Sequence, residues 1–176
     1  MSSILTINQL YRMLNVWSRR VRRNAAAVER GSSTEHTLLA YLSLDLLLDE
    51  DGFVLLIAAG RAEHALSPQL AEALRRWGLS NTPAIIGRAR KLYLRYGAAI
   101  QAAARRGEDI ETMRRRFPQF DGLDEAYCLI CEEDFSVVCS HVRRHPADFA
   151  GLIAEAGEVG SPLPPDVGNE APASSP

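Results

Sequence analysis

The sequence predicts an all-α fold: one compact domain of six to eight helices over residues 1–156, followed by a disordered tail over 157–176. Three observations lead there. Apolar residues recur at three- and four-residue spacing along most of the chain. Gly, Pro and Ser/Thr-Pro punctuate it at intervals of about one helix length. No window sustains the apolar/polar alternation of a half-buried strand. With 176 residues, 47% hydrophobic and 24% charged, the chain can bury a core without disulfides or a metal.

The elements follow in order. Ile4 to Ala27 carries Ile7, Leu10, Tyr11, Leu14, Trp17 and Val21 as one amphipathic stripe, and Gly31 stops it. Ser32 with Glu35 three residues on has the capping-box pattern and opens a helix through Leu48. Gly52 breaks that helix, and Phe53 to Ala59 forms a short apolar one ending at Gly60. Ser67-Pro68 places a cap before a first-turn proline, and Gly78 closes the helix after Trp77. Thr82-Pro83 repeats that start and predicts a helix to about Tyr96-Gly97. Ala98 to Arg106 and Glu108 to Phe117 follow as two short helices divided by Gly107. Pro118 and Gly122 bound a turn in which Asp121 is a cap candidate. Asp124 to His145 reads as one uninterrupted helix stopped by Pro146, and Ala147 to Ala156 as a last short one. From Gly157 on, Pro, Gly and Ser with few apolar residues predict disorder.

Several classes are disfavoured. Three cysteines are too few and odd in number for a disulfide framework, which predicts a reducing cytoplasm. The N-terminus MSSILTINQL lacks the basic and apolar regions of a signal peptide. Leu38 to Ala59 is apolar enough to resemble a membrane span, but Asp45, Asp49, Glu50 and Asp51 interrupt it, so it predicts a buried helix pair. Cys128-x-x-Cys131 with Cys139, His141 and His145 offers zinc-ligand types. On a continuous helix, however, Cys128, Cys131, Phe135, Val138, Cys139 and Val142 share one apolar side, where cysteine acts as a small hydrophobe. A metal site at Cys128, Cys131 and Cys139 stays the lesser alternative. No nucleophile elbow, Gly-rich phosphate loop or His-Glu-x-x-His helix occurs, so the expectation is a non-enzymatic protein without a cofactor.

Charge is the informative pattern. The net charge of −2 conceals +5 over residues 1–30 (six Arg, one Glu), +2 over 31–120 (twelve bases, ten acids) and −9 over 121–176 (two Arg, eleven acids). Four arginines lie between Arg19 and Arg23, and Arg114-Arg115-Arg116 forms a second cluster. Without a recognition-helix or aromatic pattern beside them, solvated or paired faces outweigh direct nucleic-acid contact, which remains an alternative through the first helix. Two runs lack any Arg or Lys. One lies between His36 and Gly60 and includes Asp49, Glu50 and Asp51. The other lies between Asp121 and Asp134 and includes Glu125, Glu132, Glu133 and Asp134. Like charges held close are tolerated most readily where a cationic partner binds, although such runs also serve as solvated faces.

Three stretches carry a family likeness: Leu46-Leu-Leu-Asp-Glu-Asp-Gly52-Phe53, the ALRRWGLSNTPAIIGRA pair around Gly78, and FPQFDGLDEAY leading into a helix that ends at HPADF. Over about Leu38 to Phe149 the chain resembles the bacterial DNA-mimic-protein family of small all-helical domains. The resemblance implies a protein that displays carboxylates like duplex phosphates and occupies the DNA-binding surface of a transcriptional regulator. The expected partner is therefore a basic protein such as a DNA-binding regulator, met by Asp49, Glu50, Asp51, Glu125, Glu132, Glu133 and Asp134. No membrane is implied, and a homo-oligomer is left open.

Overall fold

The structure, a computed structural model, describes residues 33–158 (side chains to 154) together with Leu10, Arg12 and Asn15. The rest of the expected first helix, with its arginine cluster, and the tail beyond 158 lie outside the described residues. Residues 33–158 form eight α-helices and two 3-10 turns, and no strand occurs among the described residues.

Helix α1 (Ser33–Ala58) is the central element. It leaves helical geometry at Asp51 and Gly52, as the sequence predicts, with Gly52 at φ +74°. Leu38, Tyr41, Leu42, Leu44, Phe53, Leu56 and Ile57 are all buried, so both arms of the helix contribute to the core, as their dense apolar residues require. After Gly60 (φ +70°) comes a single turn, α2 (Ala62–Ala65), that the sequence reading passes over. Helix α3 (Pro68–Arg76) begins as predicted: the Ser67 hydroxyl accepts the Leu70 N–H at 3.1 Å, and Gly78 ends it at φ +100°.

Helix α4 (Asn81–Arg105) corrects two expectations. Thr82 is its second residue and not its cap, and Gly97 does not stop it. Gly97 is buried, and a Cβ there would lie 2.5 Å from the Tyr93 ring, so this glycine makes room for an aromatic. The helix stops at the left-handed Gly107. Helix α5 (Ile110–Arg116) is capped by Asp109, whose carboxylate accepts the Thr112 N–H at 2.9 Å and is held below the usual carboxylate range by that bond.

Pro118–Phe120 forms a 3-10 turn, and Asp121 then opens α6 (Asp121–Cys128) as a helical residue without capping through its side chain. The long helix expected over Asp124 to His145 is in fact two, because Leu129 and Ile130 form a turn before α7 (Cys131–Arg144). A 3-10 turn at Pro146–Phe149 leads to α8 (Ala150–Glu158). Helix α4 packs along α1 and α3, while α6 lies against α1 and α4. No helix among the described residues is long and apolar enough to cross a membrane.

Candidate functional site

The two base-free runs meet where α6 lies against the kink of α1. The Asp124 carboxylate accepts the Phe53 N–H at 2.9 Å, and the Tyr127 hydroxyl donates to Asp45 at 2.8 Å across 82 residues of sequence. Gly52 allows the first contact, since a Cβ there would sit 2.5 Å from the Asp124 carboxyl. Burial pushes the Asp124 pKa up, against the opposing effects of the Phe53 N–H and Arg114. Burial also drives the Tyr127 phenol far above its ordinary range, with the neighbouring Tyr41 and the Asp45 carboxylate adding to it. Tyr127 therefore stays protonated and donates.

The acidic residues divide into two populations. One turns inward and caps helices from a distance. Helix α4 has no side-chain cap of its own, and Asp134, only 3% exposed, accepts the Thr82 N–H at 2.8 Å in its place. Asp124 does the same for the second arm of α1 at Phe53. Glu35, buried in the first turn of α1, accepts the Leu152 N–H of α8 at 3.3 Å, and a Cβ on Gly151 would approach it to 2.9 Å. Three helix N-termini, with their orphan N–H groups and positive dipole ends, are thus met by carboxylates supplied from other helices.

The other population faces out. Asp49 and Glu50 are exposed beside the kink, and Glu125, Glu132 and Glu133 are exposed on either side of the α6–α7 turn. None of these five forms an ion pair with the described residues. Asp51 differs, because Arg114 reaches it at 3.4 Å and neutralises part of the kink. At the centre of the second group stands Leu129, 86% exposed, the most exposed large apolar side chain among the described residues. Of the seven residues expected to contact a partner, five therefore form exposed, unpaired acid. Asp51 is paired, and Asp134 is an internal cap withdrawn from the surface.

Sequence reasoning missed the turn because no Gly or Pro marks it. A signal was present nonetheless. Glu132-Glu133-Asp134 is a typical acidic first turn, which places a helix start just before Cys131. The break also corrects the cysteine stripe: Cys139 alone is buried, Cys131 is half-buried, and Cys128 is exposed at the end of α6. Cys131 keeps a local bond, its thiol donating to the Cys128 carbonyl at 3.4 Å. Among the described residues no three His, Cys, Asp or Glu side chains are placed to share a metal ion. The arginines of α5 are occupied: Arg114 by Asp51, Arg115 by Glu111 and Arg116 by Glu108.

Comparison with known proteins fits this layout. A family profile described as DMP19-like protein matches residues 29–145, which take in the kink, α4 and the α6–α7 turn. Over 121 residues the chain is 37% identical to DNA mimic protein DMP19 of Neisseria meningitidis serogroup B, covering 69% of this chain and 73% of that protein. The matched span is most of the helical body and includes both base-free runs, and on these grounds the chain belongs to the DMP19-like protein family.

Proposed function

We propose that this protein is a binding module whose outward carboxylates engage the cationic surface of a DNA-binding regulator in place of DNA phosphates. Membership of the family makes it a non-enzymatic, protein-interacting molecule, and the name of its meningococcal relative motivates the choice of partner. The observation that carries the reading is the exposed set Glu125, Glu132 and Glu133, without ion-pair partners among the described residues. Each can accept a charge-assisted hydrogen bond from a partner Arg or Lys, as a phosphate oxygen would. Asp49 and Glu50 extend the field at the kink of the adjacent helix. The residues form a local acidic surface on a chain of net charge −2, so recognition depends on this face and not on bulk charge.

The test is capture from the native cytoplasm with wild type and with an E125K/E132K/E133K variant of unchanged circular dichroism. The expected result is recovery of a DNA-binding protein by wild type alone, and release of that protein from its DNA when wild type is added. Equal recovery by both proteins would reduce the acidic face to a solvated surface.

A further inference from the structure

The acidic turn carries one motif that binding a cationic partner does not use: Cys128-x-x-Cys131. Cys128 is the last residue of α6 and Cys131 the first of α7. The residues between them, Leu129 (φ −71°, ψ −22°) and Ile130 (φ −118°, ψ −10°), have the backbone of a type I turn. The Leu129 N–H donates to the Glu125 carbonyl at 3.2 Å and the Ile130 N–H to the Tyr127 carbonyl at 3.0 Å, which holds the turn closed. The ends of such a turn have Cα atoms less than about 7 Å apart, which overlaps the disulfide span of about 4.4–6.8 Å. The Cys131 thiol already reaches back across the turn, since it donates to the Cys128 carbonyl at 3.4 Å. Cys139 is buried and lies about 12 Å further along α7, so it cannot compete for either sulfur.

The two thiols differ in environment. Cys128 is exposed, whereas burial, then the Asp45 carboxylate, pushes the half-buried Cys131 thiol up against the opposing Glu132 N–H. Cys128 is therefore the accessible sulfur and Cys131 the one that keeps its proton. We propose that Cys128 and Cys131 form a reversible dithiol–disulfide site for small disulfides, set within the acidic face. The Cys128 thiolate attacks one sulfur of the incoming disulfide, forms a mixed disulfide and expels one thiolate. Cys131 then gives its proton to solvent, attacks the Cys128 sulfur and expels the second thiolate. The protein loses two protons and two electrons, which the small disulfide takes up as two thiols. Glu125, Glu132 and Glu133 repel anionic reagents and attract cationic ones, so a cationic disulfide reacts fastest. Closing the bond ties the end of α6 to the start of α7 and holds Glu125 in one body with Glu132 and Glu133. This consequence rests on the reading that those carboxylates bind a regulator, and it makes capture stronger in the oxidised protein.

The full chain, reduced and then exposed to cystamine or to glutathione disulfide, is read by intact mass and by peptide mapping after free thiols are blocked. Wild type is expected to lose about 2 Da and two titratable thiols, with the bond mapped to Cys128 and Cys131 and reversed by dithiothreitol. Cystamine should react faster than glutathione disulfide, and the gap should narrow in E125Q/E132Q/E133Q. Cys131→Ser should stop at a mixed disulfide on Cys128, and Cys128→Ser should react far more slowly. An unstructured Cys-x-x-Cys peptide also oxidises, so urea unfolding supplies the control. The oxidised protein should unfold at a higher urea midpoint than the reduced one, because the native turn already holds the pair within bonding reach. A lower midpoint, a wild type that accumulates the mixed disulfide, or a bond that uses Cys139 overturns the proposal. Stronger regulator capture by the oxidised form supports the link to the acidic face, and equal capture by both forms removes it. If neither form captures a DNA-binding protein, the acidic-face function fails, while mass and midpoint still decide the thiol chemistry.

Discussion

The inner and outer sides of the α6–α7 region are built from the same residue type and do opposite work. On the inner side, Asp124 and Asp134 are fixed by backbone N–H groups of α1 and α4, and so tie α6 to α1 and α7 to α4. On the outer side, Glu125, Glu132 and Glu133 touch no cation of the described residues. A carboxylate is costly to bury unless its lone pairs are satisfied, and a helix N-terminus offers both the donors and a favourable potential. The lesson is that an acidic run is not one feature. Part of it holds the fold, and the remainder is available to a partner.

The largest stability effect is expected at Asp134. Asp134→Ala leaves the buried Thr82 N–H without a partner and should cost about 2–3 kcal/mol in urea unfolding. Asp134→Asn keeps an acceptor and should recover most of that loss. If alanine costs no more than asparagine, the capping role fails. Gly52→Ala comes next, because it sets a Cβ against the Asp124 carboxyl at a positive φ. A loss of about 1–3 kcal/mol is expected, and pairing it with Asp124→Ala should recover part of it if the clash is the cause.

Tyr127→Phe removes one buried hydrogen bond and leaves Asp45 short of a donor, for about 1–2 kcal/mol by thermal or urea unfolding. At the other end of α7, His141 stacks on Trp77 with ring centroids 4.5 Å apart, and burial, then His145 and Arg144, lowers its pKa against the opposing Asp148. Its folded pKa lies below the unfolded value of about 6.5, so its contribution is full above that pH and is lost as pH falls through the depressed value. The acid-side loss of stability between those two values should flatten in His141→Gln, and an unchanged slope would assign it to other groups.

The smallest stability effect belongs to the outer side. Neutralising Glu125, Glu132 and Glu133 to Gln should shift stability by no more than about 0.5 kcal/mol per site while abolishing regulator capture. A large loss of stability here would erase the distinction between the two sides.

Most of the fold is legible in the sequence because its signals are local. Ser67-Pro68 before α3, Gly78 after it, the Gly52 kink and the buried apolar α1 are each decided by a few neighbouring residues. An acid-free stretch from Ala73 to Gly107 was equally legible by the count that reveals the base-free runs. What the sequence alone determined is therefore the helical class, the punctuation and the segregation of charge along the chain.

The tertiary structure decided where helices without breakers end and which way each carboxylate points. Gly97 lies inside α4 because a tyrosine ring needs the space, while Leu129 and Ile130 form a turn with no glycine at all. Tyr127 is held to α1 and Asp134 to the start of α4, so the chain between them follows anchors more than 50 residues away. Helix propensity differs by less than about 1 kcal/mol between ordinary residues, and a buried hydrogen bond to a distant N–H is of the same size or larger. Long-range partners of that strength overrule local preference, and no reading of neighbours along the chain contains them.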